Sequence, residues 1–123
     1  MIAAEIDQLI EQTVAALPDR ISGNEANQVV AERLRGLAVS DRESLICYLR
    51  HLMSFRLSGG QRTSSDAVPE AGIWMALHVA EALGLQELRP DIQKLSCDIE
   101  RGLIFKAVHQ SMVDRYLERM VPP

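Results

Sequence analysis

Cys47 and His51 stand four residues apart in ESLICYLRHL, a spacing that sets a thiol and an imidazole on one face of a helix. The pair suggests either the first two ligands of a metal site or a nucleophile beside its base. A metal site needs a second pair at ligand spacing, which the sequence lacks. Both residues fall opposite the apolar stripe of their helix, beside Arg50, so the preferred reading is a solvent-facing thiol and imidazole without a role. His78 and Glu81 reverse the Glu-x-x-His order of di-iron bundles, and the matching second motif is missing. His109 lies among Phe105, Met112 and Tyr116 and reads as a core histidine hydrogen-bonded through one nitrogen. An acid–base role for it needs a nearby carboxylate that spacing does not supply. The polar stretch SGGQRTSSDAV at 58–68 has the glycine, serine and arginine of a phosphate cradle but not the G-x-x-x-x-G-K-[ST] spacing. No cofactor, metal or catalytic residue is expected.

One constellation points to recognition instead. In PEAGIWMALHVAEALG, residues 69–84, the apolar and alanine positions cover almost the whole circumference of a helix. Glu70, His78 and Glu81 are its only polar side chains, and they share one narrow stripe with Trp74, the chain's single tryptophan. A helix apolar nearly all round is buried, so this one is expected at the centre, with that strip facing out or facing a partner. Tryptophan is a frequent interface anchor and a carboxylate rim suits a basic partner. Glu70, Trp74, His78 and Glu81 are therefore the first candidate partner-binding residues. The plainer alternative has Trp74 capping the core under the 58–68 loop. The acidic residues of the first helix, Glu5, Asp7 and Glu11, are the second choice.

Charge and composition narrow the classes. The 123 residues carry 17 acidic against 13 basic side chains, a net charge of −4, which argues against nucleic acid as the main partner. The charge is uneven. Residues 1–32 hold six carboxylates against Arg20 alone, whereas residues 33–62 hold six arginines against Asp41 and Glu43. A single helical domain over 1–123 is expected, its core filled by aliphatic residues because aromatics are only 4%. Two cysteines are too few for a disulfide framework at this length, and no leader or membrane span is read, so a monomer in the cytoplasm is expected.

The elements that position these residues follow from apolar periodicity and its punctuation. A first amphipathic helix is expected over 2–17, stopped by Pro18. Ser22 to Glu25 and Ser40 to Glu43 both read S-x-x-E, the capping box that opens a helix. The second helix is expected to end near Gly36 and the third to span 41–57. Arg56, within the last turn of that third helix, is read as complementing the helix dipole rather than meeting a buried acid. The central helix comes next. Pro90 opens a fifth with the stripe Leu88, Ile92, Leu95 and Ile99. The stripe of Phe105, Val108, Met112, Tyr116 and Met120 is out of phase with it, so Gly102 marks a kink or the start of a sixth helix. The fold class is all-α. About six helices form either an irregular antiparallel bundle or a short stack of helical hairpins.

The acidic IAAEIDQLIEQTVAAL, the central AGIWMALHVAEALG and the helical pair LRPDIQKLSCDIERG together resemble, in layout, the small helical immunity proteins of bacterial contact-dependent growth inhibition and related polymorphic toxin systems. The resemblance implies a non-catalytic inhibitor that pairs with a cognate toxin, often a basic nuclease, and occludes its active site. It implies no particular site residues. Two other classes stand beside it: a small helical enzyme using Cys47, His51 or His109, and a helical adaptor or secretion chaperone that dimerises through an apolar face.

Overall fold

The computed structural model describes residues 2–57, 63–104 and 106–120, with side chains at all of these except 106–108. Among them are six α-helices and no strand: α1 Ala3–Ala15, α2 Gly23–Ser40, α3 Arg42–Leu52, α4 Ala67–Ala82, α5 Arg89–Glu100 and α6 Lys106–Arg119. The fold is all-α, as periodicity predicts. Residues 58–62 of the loop read as a phosphate cradle, and Phe105 of the sixth stripe, lie outside the described residues.

Local chemistry explains most of the boundaries. Ser22 caps α2 as expected, its Oγ accepting from the Glu25 N–H at 3.1 Å and donating to the Glu25 carboxylate at 3.0 Å. The second S-x-x-E does not act that way. Helix α2 runs straight through Gly36 to Ser40, so Ser40 closes one helix and Asp41, with φ −150° and ψ 61°, turns the chain into α3. An interior glycine costs about 1 kcal/mol against alanine. Burial of Leu34, Leu37 and Ala38 on both sides of it outweighs that cost. Helix α3 stops at Leu52, short of the expected residue 57, because the chain beyond it is tied elsewhere: the Leu57 N–H donates to the Leu103 carbonyl at 2.7 Å.

Helices α4 and α5 end alike. Past α4, the Gly84 N–H meets the Glu81 carbonyl at 3.2 Å and the Leu85 N–H the Ala80 carbonyl at 2.9 Å. Past α5, the Gly102 N–H meets Ile99 at 3.1 Å and the Leu103 N–H meets Asp98 at 2.9 Å. These are Schellman caps, and each needs a left-handed residue; Gly84 has φ 64° and Gly102 φ 75°. Gly102 therefore ends α5, and α6 is a separate helix.

Consecutive helices pair as α1–α2, α3–α4 and α5–α6, and the pairs are joined through α2 against α4 and α4 against α6. That is the pattern of a short stack of helical hairpins. Helix α4 holds the middle, touching α2, α3 and α6, with Ile73, Ala76, Leu77, Val79 and Ala80 buried. One hydrophobic cluster extends from Ile6 of α1 to Tyr116 of α6. Tyr116 is wholly buried there. Its hydroxyl donates to the Leu85 carbonyl at 2.5 Å, and burial is the chief reason its pKa is pushed up to about 12. No described helix is long and apolar enough to cross a membrane.

Candidate functional site

The stripe on α4, expected to face out or to face a partner, is instead largely covered by helices of this chain. Glu70 is only 6% exposed. The Trp74 ring abuts Gly23 in the first turn of α2. A Cβ added at Gly23 would stand 2.8 Å from Trp74 Cζ3 and nearer still to Cη2, so the ring occupies the space a side chain would need. His78 Nε2 shares a hydrogen with Gln28 Oε1 at 3.2 Å, and burial lowers its pKa. Glu81, its side chain 9% exposed, takes Arg115 at 2.7 Å and Arg119 at 2.8 Å. The stripe is a polar seam along which α2 and α6 close on α4. His78 and Glu81 are tolerated on an apolar helix because Gln28 of α2 and Arg115 and Arg119 of α6 supply partners for them. Spacing identifies such a face but not what covers it.

Two further expectations change. Arg56 does meet a buried acid: its Nε donates to Asp98 at 2.7 Å, with side-chain exposures of 23% and 5%. Because α3 has already ended, its Nη1 also reaches the Met53 and Phe55 carbonyls at 2.7 and 2.6 Å. His109 is 3% exposed, and neither ring nitrogen has a hydrogen-bond partner among the described residues. Burial holds its pKa below the ordinary histidine value.

The open feature lies between α1 and α3, at a groove of about 580 Å³. Its α1 wall is Ala3 and Asp7; its α3 wall is Ser44, Cys47, Tyr48, His51 and Leu52. Helical geometry explains both walls. Ala3 and Asp7 are four apart on α1, and Ser44, Tyr48 and Leu52 repeat every four residues on α3. Tyr48 anchors the walls to each other: its ring is buried and its hydroxyl donates to the Asp7 carboxylate. Burial, then that hydrogen bond and the negative fields of Asp7 and Glu11, push the Tyr48 hydroxyl far above the usual tyrosine range. Cys47 and His51 are both exposed, as expected, but they open onto this groove rather than onto featureless surface.

Both stripe candidates and second choices are thus placed. Glu70, Trp74, His78 and Glu81 lie on the α4 seam, Glu70 buried and the other three half-buried. Glu5, Asp7 and Glu11 are exposed on α1, with Asp7 in the groove wall. Glu5 also receives the Ile2 N–H at 3.3 Å and so helps to start its helix. Sequence reading missed the groove. The available signal was Tyr48, a hydroxyl on an apolar face that must find an acceptor when buried. A smaller recess of about 110 Å³ lies near Arg50, Arg56 and Lys94, but Arg50 is held by Asp91 at 3.0 Å and Arg56 by Asp98. Among the described residues, no three His, Cys, Asp or Glu side chains converge to hold a metal ion. Set against known protein families, curated proteins and solved structures, the chain matches none.

Proposed function

We propose that this chain is a non-catalytic protein-binding module of the immunity type, which engages a basic toxin domain and blocks its active site. The observation that carries the reading is where unneutralised negative charge remains. Glu32, Glu81, Glu87, Asp91 and Asp98 are each ion-paired to an arginine of the same chain. Asp7 and Glu11, like other exposed carboxylates including Glu25, Glu43 and Glu100, have no cationic partner among the described residues, and these two lie along one face of α1, Asp7 in the wall of an open groove. With a net charge of −4, that face steers a basic surface toward it. The layout resemblance to small helical immunity proteins supports the same reading.

The test is capture of a partner by the tagged chain from its source cell, followed by association kinetics of the purified pair at several salt concentrations. The reading requires a basic partner whose association slows as salt rises. Glu11→Lys should slow it further without lowering the melting temperature. Association indifferent both to salt and to Glu11 would sink the proposal.

A second reading has one observation in its favour. Cys47 and His51 line the same groove as Asp7, an arrangement that a thiol-dependent enzyme would also use. Its test is whether any turnover found is abolished by Cys47→Ala.

A further inference from the structure

We propose that the groove between α1 and α3 seats an arginine or lysine side chain of the partner, its stem along Ala3, Leu52 and the Tyr48 ring and its head at the Asp7 carboxylate. The inference deepens the protein-binding reading above and rests on it.

Shape comes first. About 580 Å³ lies within the range of ligand sites and exceeds one side chain, so the groove has room for a short segment with the basic residue at its centre. Ala3, Leu52 and the Tyr48 ring are among its walls, and most of the surface facing that space is apolar. Walls of this kind suit a side chain whose long stem is apolar and whose charge sits only at its tip.

Charge selects the tip. Asp7 is the only lining residue that carries a negative charge, and Glu11 stands one turn further along the same face, about 6 Å away along the helix axis. An acidic or phosphorylated segment would meet like charge there. A purely apolar segment would strip water from Asp7 without supplying a counter-charge, which is unfavourable. A cation satisfies both conditions.

The carboxylate is also held in place. Asp7 Oδ1 accepts the Tyr48 hydroxyl, and Tyr48 is locked by burial in the α3 face, so the acid is oriented before anything binds. Its Oδ2 has no partner among the described residues. Elsewhere in the fold, carboxylates at helix–helix seams are met by arginines of this chain; Arg42 on Glu87 and Arg50 on Asp91 are examples. At Asp7 no arginine among the described residues takes that place, and the partner supplies it.

The experiment titrates n-butylguanidinium, which reproduces the stem and head of arginine, into the full chain in a Cys97→Ser background. Two readouts are taken: amide and side-chain NMR shifts, and the rate at which iodoacetamide alkylates Cys47. The proposal expects saturable shifts confined to Ala3, Asp7, Cys47, Tyr48 and His51, with alkylation slowed several-fold at saturation. Neutral n-butylurea should do neither. Asp7→Asn should lose both effects while its amide oxygen still accepts from Tyr48; should that variant fail to fold, Glu11→Gln must weaken the binding several-fold instead. The proposal is overturned if butylurea acts equally, if the shifts scatter over the surface carboxylates, or if no saturable shift appears. A doubling of mass in sedimentation that shields Cys47 would also overturn it, since a second copy would then cover the groove. A chain that captures a basic protein but ignores butylguanidinium keeps the protein-binding reading and loses this one. A chain that binds butylguanidinium but captures no partner loses the protein-binding reading and, with it, the assignment of the groove's occupant to a partner.

Discussion

Gly23 is where backbone propensity and packing disagree most sharply. It is the first residue of α2, and propensity alone would reward alanine there by about 1 kcal/mol. The Trp74 ring already fills the space of its missing Cβ. Overpacking of a rigid ring typically costs about 1–3 kcal/mol, so Gly23→Ala should lower stability, read as a lower denaturant midpoint. A more stable variant would mean that Trp74 sits elsewhere. His109 makes the residue-scale case for pH. Its folded pKa is depressed, so above about 6.5 both states are neutral and it has no effect. Below that the unfolded chain takes up the proton first, and stability falls with pH until the lowered folded value is passed. His109→Leu should flatten that acid limb and, by removing two unpaired buried nitrogens, raise neutral-pH stability by about 1 kcal/mol. Some slope should survive, because burial depresses His78 as well. Identical pH–stability curves for the two proteins would refute the assignment.

Between elements, the joint of the segment that follows α3 with α5 depends on a charge pair rather than on carbon alone. Asp98 is almost fully buried, Arg56 only partly, and Arg101 approaches Asp98 no closer than 4.0 Å with most of its side chain in water. Removing the cation strands the deeper charge. Arg56→Ala should therefore cost about 3 kcal/mol, in the range found for breaking buried pairs. Arg101→Ala should stay within roughly 0.5 kcal/mol. Chemical denaturation of the two variants decides the matter, and equal losses would show that the pair is not the fastening. The same joint carries the Leu57–Leu103 backbone bond and the Gly102 cap, so the residue that ends α5 also positions the chain leaving α3.

Across the whole molecule, carbon and charge are divided by place. The centre belongs to α4, where Leu77→Ala should cost about 2–5 kcal/mol as a core truncation, against roughly 0.5 kcal/mol or less for Glu11→Ala on exposed α1. Equal losses would mean the core is misplaced. Charge reversal separates the two acidic regions in the same manner. Glu81→Lys confronts Arg115 and Arg119 at the α4–α6 seam and should lower the melting temperature. Glu11→Lys should leave melting unchanged and act on partner association alone. A thermal melt of each variant, set beside its association rate, distinguishes a seam from a docking face.

Patterns local to one segment were legible in the sequence. The all-helical class, the cap at Ser22, the break at Gly102 (though not whether it was a kink or a stop) and the central burial of α4 each depend on residues a few positions apart, whose periodicity or backbone preference acts before any neighbour arrives. Ser40 shows the limit of such signals: the same S-x-x-E pattern opened one helix and not the other, because burial of Leu37 and Ala38 carried α2 past Gly36. What only the tertiary structure decided was pairing at a distance. Glu81 looks the same in sequence as Glu11, yet one is neutralised by Arg115, 34 residues away, and the other stands open. Arg56 and Asp98 are 42 apart, Tyr48 and Asp7 41 apart, and nothing in the intervening chain indicates that either pair will meet. A buried polar group must find a partner, but the requirement does not say which one. That choice was made by packing, when α2 and α6 closed over the α4 stripe and α1 met α3 along a groove.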